Sequence, residues 1–429
     1  MSKLKIKITK MIHKAKSKCV KSWRILGPGF VTGAADDDPS GIGTYSIAGA
    51  KYGLLFAWLI PLQLPLLFAI QEMCARIGVA TGKGLTANMK RIFSWPFLYL
   101  MVLSLVIANV ANISADIAIM AASARLIAGG TITWWAIVIV LIIIVMEIFI
   151  SYHVYSKVLL VLALFLLSYV ITALMVFQDW SELLKHIFIP SVVFTKDFIV
   201  IATGFLGTTI SPYLFFWQTS QEAEEKKYDE TINNSKMPIK KVVKKMQLDT
   251  FIGMFFSQLV ALFIVITCFS TLHKNGITEI GTAHDAAMAL KPLAGEWAFL
   301  IFAIGIIGAG LLGIPILAGS AAYALSELFG RVEGLSSKFK DAMLFYGIII
   351  FALLFGLFIN FIGINPIKAL LYASVINGFA AVPLIALIII LANKKQIMGN
   401  NTNGLFSNLL GWFTFGLMLT AAILFIVFV

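Results

Sequence analysis

The chain has 429 residues, of which 60% are hydrophobic and 13% are charged, and its mean hydropathy is +0.93. This composition excludes a soluble globular domain and indicates a polytopic membrane protein. The formal net charge of +12 is explained by basic tails and loops beside anionic lipid headgroups. We therefore expect a lipid bilayer, and no nucleic acid, as the partner of this charge.

Eleven apolar segments are long enough to cross a bilayer. They lie at 27–49, 54–78, 97–128, 133–152, 156–177, 197–222, 249–272, 296–325, 342–363, 366–393 and 405–428. The tail before the first span and the loop after the sixth span are rich in lysine, and such segments remain on the cytoplasmic side. We therefore expect a multi-pass protein of the cell membrane, with a cytoplasmic N-terminus and an extracellular C-terminus.

The first and sixth spans are interrupted. The first reads GPGFVTGAADDDPSGIGTYS from Gly27 to Ser46, and the sixth reads GFLGTTISPYLFFWQTS from Gly204 to Ser220. In both, an apolar helix pattern stops at glycine, small residues and a proline, which cannot donate a backbone hydrogen bond. Unpaired backbone groups are tolerated at membrane depth only where they are buried in protein or line a cavity. The two breaks therefore predict one shared site.

The breaks also predict an internal repeat. Pro39 and Pro212 are 173 residues apart, and each break opens a block of five spans. An odd number of spans inverts the second block relative to the first, as in inverted-repeat transporters. We expect a basic cytoplasmic tail at 1–26, a first repeat at 27–177, an extracellular loop at 178–196, a second repeat at 197–393 with a basic cytoplasmic loop at 223–248, and a linker with the eleventh span at 394–429.

Asp38 lies at the first break and is the main candidate for a ligand of a small cation. A carboxylate inside the membrane is costly without a partner or water. The other interpretation of this residue is a helix N-cap before Pro39. Asp36 and Asp37 have three interpretations: they face a water-filled vestibule, cap the second half-helix, or bind the cation directly.

Four short motifs are the most specific parts of the sequence. They are Gly-Pro-Gly-Phe at 27–30, Asp-Pro-Ser-Gly at 38–41, Ser-Pro-Tyr at 211–213 and Asn-Pro-Ile-Lys-Ala-Leu at 365–370. With them the chain resembles the NRAMP family of divalent-metal transporters, and most of all the NRAMP-related magnesium transporters. The resemblance covers the ten repeat spans. It implies an all-α, LeuT-like fold: an inverted repeat of five plus five transmembrane helices, with unwound first and sixth helices and an additional eleventh helix.

The resemblance also implies a metal site. Its candidate residues are the carboxylate of Asp38, the space at Gly41, the carbonyl groups of Ala35 and Thr208, the hydroxyl groups of Ser211 and Tyr213, and Ser374 and Asn377 near the position of a family glutamine. Ser211 replaces the family's methionine, whose thioether favours manganese and iron, and Gly41 replaces its asparagine. Because Mg²⁺ prefers oxygen ligands and keeps part of its water, we expect Mg²⁺ as the transported ion, and no cofactor.

Proton coupling is not expected from the third span. Proton-coupled relatives carry an Asp and a Glu three residues apart there, and the matching positions of this chain are Asn109 and Asn112. Tyr213 replaces the histidine of the family's Met-Pro-His motif, so three groups that could relay protons are neutral at working pH. The other interpretation of the two asparagines is hydrogen bonding between helices. A shifted alignment would place Asp116 in the proton-carrying role.

Two other functions remain open. One is a proton-coupled Mn²⁺ or Fe²⁺ importer of the NRAMP type. The other is a sodium-coupled carrier of organic solutes on the same fold, against which Asp38 argues because it would repel a substrate carboxylate. The sequence contains no Walker, His-Glu-x-x-His or Gly-x-Ser-x-Gly motif, so we expect no enzyme activity. The oligomeric state does not follow from the sequence.

Overall fold

The computed structural model describes residues 27–150, 164–177, 179–228 and 238–429. The predicted basic tail at 1–26, the start of the fifth span at 156–163 and the middle of the basic loop at 229–237 lie outside the described residues. Every regular element in the described ranges is a helix. The predicted all-α class is confirmed.

The first broken span consists of α1 (Pro28–Asp36) and α2 (Pro39–Tyr52). After it come α3 (Leu59–Thr81), the short α4 (Leu85–Met89), α5 (Trp95–Ala128), α6 (Ile132–Phe149), α7 (Leu167–Val176) and the short α8 (Trp180–Phe188). Single 3-10 turns lie at Gly53–Phe56 and Leu164–Leu166.

The second broken span consists of α9 (Lys196–Thr209) and α10 (Pro212–Tyr228). After it come α11 (Ile239–Thr271), the short α12 (Ala283–Met288) and α13 (Lys291–Ala294), α14 (Ala298–Phe329), α15 (Met343–Asn360), α16 (Pro366–Asn393), the short α17 (Lys395–Met398) and α18 (Leu405–Phe428). Single 3-10 turns lie at His273–Asn275 and Gly295–Trp297.

Most of these helices suit a membrane. Within the described residues, nine helices are long and apolar enough to cross one, with α9 and α10 taken together. The first span is not among the nine because its break divides it into halves of 9 and 14 residues. Helix α11 begins at Ile239 rather than at the predicted residue 249, because lysine is a good helix former and continues the helix beyond the apolar segment.

The broken spans lie at the centre of the bundle. In the most apolar stretch of α9 and α10, 89% of the residues are buried, whereas in that of α18 only 22% are buried. Helix α2 packs against α11 and α10 packs against α3, which are equivalent pairs in an inverted repeat, and α5 packs against α14 and α16. The surrounding helices therefore shield both breaks from the lipid.

Two glycines determine how closely the first halves of the broken spans approach their neighbours. A Cβ atom at Gly33 of α1 would overlap the backbone of Gly253 in α11. A Cβ atom at Gly207 of α9 would overlap the backbone of Ser374 and Gly378 in α16. Small residues allow such close packing between membrane helices. Helix α1 is therefore packed on α11, and α9 on α16, backbone against backbone.

Candidate metal site

Asp38 occupies the first break with an extended backbone (φ −69°, ψ 171°). Its Oδ1 accepts a hydrogen bond from the backbone N–H of Gly41 at 2.8 Å, and α2 starts with Pro39 at its first position. The N-cap interpretation of Asp38 is therefore confirmed. The cap uses one carboxylate oxygen, so it leaves the other oxygen for a different partner.

Tyr213, in the first turn of α10, connects the two breaks. Its hydroxyl oxygen lies 3.1 Å from Oδ2 of Asp38 and 3.1 Å from the carbonyl oxygen of Ala35, and it can donate its proton to either. Ala35 precedes the last residue of α1, where helical N–H partners run out. Tyr213 is 0% exposed and Asp38 is 1% exposed. The structure thus brings three predicted site residues together in a place closed to solvent.

Ser211 lies in the second break and bonds to the end of its own span. Its Oγ donates to the carbonyl oxygen of Thr208 at 2.6 Å or to that of Gly207 at 2.8 Å. These carbonyl groups are at the C-terminal end of α9, beyond the reach of further helical N–H groups. A cation at this position would replace the Ser211 hydroxyl as the partner of the Thr208 carbonyl.

Gly41 lies between the two breaks and is closely surrounded. A Cβ atom there would lie 3.1 Å from the carbonyl oxygen of Asp36, 3.4 Å from Cε2 of Tyr45 and 3.5 Å from Oγ1 of Thr208. The shortest of these distances is less than an ordinary van der Waals contact. The absence of a side chain at Gly41 therefore allows this close approach.

The two predicted residues of α16 have different surroundings. Ser374 donates to the carbonyl of Leu370 at 3.0 Å and lies 3.1 Å from Oγ1 of Thr44 in α2, so it contacts the helix that Asp38 caps rather than Asp38. Asn377 is 0% exposed, and neither atom of its amide group has a protein partner. A buried amide of this kind requires water or a hydrated ion.

Asp36 and Asp37 turn toward α11. The hydroxyl of Ser257 lies 2.5 Å from Oδ2 of Asp36 and 3.5 Å from Oδ1 of Asp37. Both aspartates are 0% exposed, and each has a second carboxylate oxygen without a protein partner. In this conformation they do not face a water-filled vestibule, and Asp38 takes the capping role.

Asn109 joins two helices behind the first break. Its amide nitrogen donates to the carbonyl oxygen of Leu317 and to the hydroxyl of Ser320, both at 2.8 Å. These bonds connect α5 to α14. The interpretation that Asn109 forms hydrogen bonds between helices is therefore confirmed.

Ser40 connects the first break to the other polar residues of α5. Its hydroxyl lies 3.0 Å from Oδ1 of Asp116 and 3.3 Å from Oδ1 of Asn112. The sequence does not single out Ser40. The available signal is the spacing of four between Asn112 and Asp116, which places both side chains on one face of α5.

Tyr45 is a second residue that sequence reasoning missed. Its hydroxyl lies 2.8 Å from Oγ1 of Thr209, the last residue of α9, and Thr209 donates to the carbonyl of Phe205 at 3.0 Å. Gln63 of α3 donates to the same carbonyl at 3.3 Å. This chain of bonds joins α2, α9 and α3 beside the second break. A tyrosine within an apolar helix usually indicates packing, so the sequence carried no signal for it.

The carboxylates around the first break lack opposite charges. They accept hydrogen bonds from hydroxyl and backbone N–H groups, and no lysine or arginine in the described ranges forms an ion pair with any of them. A buried carboxylate without an opposite charge is unfavourable by several kcal/mol. A bound cation removes this penalty, so the arrangement suits a metal ion as substrate.

A helical bundle whose first and sixth spans break opposite each other around a buried carboxylate has the LeuT-like fold of a secondary transporter. The family described as "Natural resistance-associated macrophage protein-like" matches residues 29–428. The chain therefore belongs to this family, NRAMP, and is a membrane transporter of divalent metal cations.

Curated relatives cover most of the chain. The "Divalent metal cation transporter MntH" of Caldanaerobacter subterraneus subsp. tengcongensis is 25% identical over 393 residues, which are 87% of this chain and 86% of the relative. The protein with the same description from Chromohalobacter salexigens is 25% identical over 397 residues, which are 89% of this chain and 86% of the relative. Both relatives are described as transporters of divalent metal cations.

Solved structures share the fold. The Eremococcus coleocola manganese transporter, in complex with an aromatic bis-isothiourea substituted compound, has a TM-score of 0.74 at 16% identity and covers 94% of this chain and 85% of its own. Mhp1, a nucleobase-cation-symport-1 family transporter in a closed conformation, has a TM-score of 0.57 at 13% identity and covers 94% of this chain and 88% of its own. These likenesses confirm the predicted LeuT-like architecture.

Proposed function

We propose that the protein imports Mg²⁺, as a partly hydrated ion, by alternating access and without proton coupling. The observation that carries this proposal is the group of oxygen atoms at the two breaks. Asp38 offers a carboxylate oxygen, Ala35 offers a carbonyl oxygen, and both lie 3.1 Å from the Tyr213 hydroxyl. Mg²⁺ is a hard cation that takes oxygen ligands, whereas a thioether, which Ser211 replaces here, favours softer metals.

The set of ligands at the site supports a hydrated ion. Gly41 has no side chain that could reach the ion, so water would take the place of the asparagine ligand that the family resemblance implies there. Mg²⁺ gives up water reluctantly and usually keeps several water molecules when a protein binds it. The unpartnered amide of Asn377 is suited to bind one such water molecule.

The absence of proton coupling is proposed from the residues of α5. By the family resemblance, Asn109 and Asn112 match the positions where proton-coupled relatives carry carboxyl groups, and an amide does not titrate. Asn109 is instead held by two hydrogen bonds to α14. The driving force is then the gradient of the ion together with the membrane potential, which contributes about 4.6 kcal/mol per 100 mV for a divalent cation.

We also propose the orientation and the division into segments that the basic loops predict. The N-terminus is cytoplasmic and the C-terminus extracellular, with repeats at 27–177 and 197–393. In this orientation α5 runs from the cytoplasmic to the extracellular side. Import therefore brings the ion to Asp38 from the C-terminal end of α5.

A second candidate function is proton-coupled import of Mn²⁺. It is favoured by the fold that the chain shares with a manganese transporter and by the buried carboxylate of Asp116, which could carry a proton. This candidate function requires a proton-carrying residue other than Asn109 and Asn112, because their amide groups do not titrate.

The experiment that separates the two functions is ion uptake into proteoliposomes that contain the purified protein. Dyes for Mg²⁺, Mn²⁺ and pH are enclosed, and Asp38→Ala serves as the control. We expect Mg²⁺ entry without acidification of the lumen, and no entry with the variant. Entry of Mn²⁺ with protons, and no entry of Mg²⁺, would contradict the proposal and favour the second candidate.

A further inference from the structure

Asp116 lies beside the first break without being one of the residues that the family resemblance assigns to the metal. Its Oδ1 accepts a hydrogen bond from the hydroxyl of Ser40 at 3.0 Å. Ser40 is the second residue of α2, the helix that Asp38 caps. One hydroxyl group therefore links the carboxylate of α5 to the segment that carries the main candidate ligand.

Asn112 directs its amide group to the same place. Its Oδ1 lies 3.3 Å from the Ser40 hydroxyl, and its Nδ2 has no protein partner. Oδ2 of Asp116 also has no protein partner, and both residues are 0% exposed. An unpaired donor and an unpaired acceptor thus adjoin one buried hydroxyl. Water is the molecule that satisfies both kinds of group at once.

The charge of Asp116 requires a partner as well. No lysine or arginine in the described part of the chain forms an ion pair with it. A buried carboxylate is neutralised by a proton or by a cation, because an isolated buried charge is unfavourable. An ion at Asp38 would lie close to this carboxylate, since Ser40 is only two residues away from Asp38.

We infer that Ser40, Asn112 and Asp116 form a subsite for the water shell of a divalent cation bound at Asp38. The inference rests on the proposed function, in which the ion keeps part of its water. Asp116 adds a second negative charge next to that of Asp38, so a hydrated ion with two positive charges is favoured over one with a single charge. Nδ2 of Asn112 donates to a water molecule of the shell and Oδ2 of Asp116 accepts from one, while the Ser40 hydroxyl lies within hydrogen-bond distance of both side chains.

The test is Asp116→Asn in proteoliposomes, with Mg²⁺ uptake as the readout. We expect the KM for Mg²⁺ to rise about tenfold, because the local attraction for the cation falls, while the maximal rate changes much less. In detergent, the melting temperature of the variant without metal should be unchanged or higher, because an unpaired buried charge is removed. The increase in melting temperature on addition of Mg²⁺ should shrink. A residue with only a structural role would lower the melting temperature without metal.

Two further variants on the same elements complete the test. Ser114→Ala is the matched control, since Ser114 is also on α5 and 6% exposed but contacts Asn360 of α15, so it should leave the KM unchanged. Ser40→Ala keeps the carboxylate and removes its link, so it should raise the KM in the same direction by less. The Ser40→Ala result decides the question if Asp116→Asn does not fold.

Three results would overturn the inference: an unchanged KM in Asp116→Asn and Ser40→Ala, an equal rise in Ser114→Ala, or proton influx that disappears in Asp116→Asn. The last result would assign Asp116 to proton transport. Failure of the proposed function is distinguishable, because it appears in the wild-type protein. If the wild type carries Mn²⁺ and not Mg²⁺, the KM for Mn²⁺ in the same variants decides the inference alone.

Discussion

The two broken spans have the same interruption and are held in different ways. At the start of α1, the carboxylate of Asp249 in α11 accepts hydrogen bonds from the backbone N–H groups of Gly27 and Gly29, both at 2.8 Å, and from that of Phe30 at 3.3 Å. At the start of α9, the cap is the hydroxyl of Thr195, the residue directly before the helix, at 3.4 Å from the N–H of Phe198.

The two breaks also differ in charge. The first carries Asp36, Asp37 and Asp38, whereas the second carries hydroxyl and carbonyl groups that bond to one another. The start of α1 is therefore held by Asp249, a residue of the other repeat, and the break that follows α1 is the charged one. Hydrogen bonds between repeats can break when the repeats move, whereas a local cap moves with its own helix. We expect α1 to be the half-helix that changes position during transport.

The largest effect is expected from Asp38→Asn. Asparagine caps a helix about as well as aspartate, so α2 should keep its start and the protein should fold. The negative charge next to the ion is lost, and ion uptake should fall by about a hundredfold or more. Uptake into proteoliposomes measures the change, and size-exclusion chromatography in detergent checks the fold. Uptake above about a tenth of the wild-type rate would mean that Asp38 acts as a cap only.

The next effect is expected from Asp249→Asn, which tests the hydrogen bonds that hold the start of α1. Three charge-assisted hydrogen bonds weaken, and we expect α1 to lose about 1–3 kcal/mol of local stability. Hydrogen exchange of the amide groups in 27–36 should become faster, with little change in 196–209.

Thr195→Ala is the matched control for this prediction. It removes the local cap of α9 at a cost of about 1 kcal/mol, and faster exchange should stay within 196–209. If hydrogen exchange became faster to the same extent in α1 and α9 in both variants, the proposed difference between the two half-helices would be contradicted.

A smaller effect is expected from Ser211→Met, which makes the second break more similar to that of other family members. A thioether near the ion should shift the ratio of Mn²⁺ uptake to Mg²⁺ uptake by about tenfold toward Mn²⁺. Ser211→Ala also frees the carbonyl of Thr208 but adds no sulfur atom, so it should not produce this shift. The same change in both variants would show that the loss of the hydroxyl, and not the thioether, alters selectivity.

The smallest effect is expected in the loop between α14 and α15. Burial, and next the charge of Glu224, raises the pKa of Glu333 from 4.5 to about 7. The folded protein then holds a proton that the unfolded chain has released, so stability declines as the pH rises from about 4.5 through 7. Glu333→Gln should flatten this decline and stabilise the protein by about 1 kcal/mol at pH 8. Melting temperatures at pH 5 and pH 8 measure it, and an equal decline in the variant would contradict the assignment.

Much of the architecture could be predicted from local sequence. The predicted spans at 366–393 and 405–428 agree with α16 and α18, because an apolar segment with polar ends marks where a helix enters and leaves the membrane. The prolines locate both breaks. Asp38 could be identified as a candidate ligand because a charged side chain inside a membrane span is rare outside functional sites.

The contacts around Asp38 could not be predicted in the same way. Ser40 and Asp116 are 76 residues apart, and Gly29 and Asp249 are 220 residues apart, so their hydrogen bonds depend on how the helices pack. Periodicity shows which residues share a helix face but not which helix that face meets. The sequence also places Asp36 and Asp37 beside Asp38 without showing that they turn to Ser257 instead.

The two bonds of Asp38 have a consequence for how an ion enters. Its carboxylate oxygens have the Gly41 N–H and the Tyr213 hydroxyl as partners. A cation that binds Asp38 competes with the Tyr213 proton for Oδ2. We therefore expect the arriving ion to replace the direct bond between the first and second broken spans with a link through the ion itself.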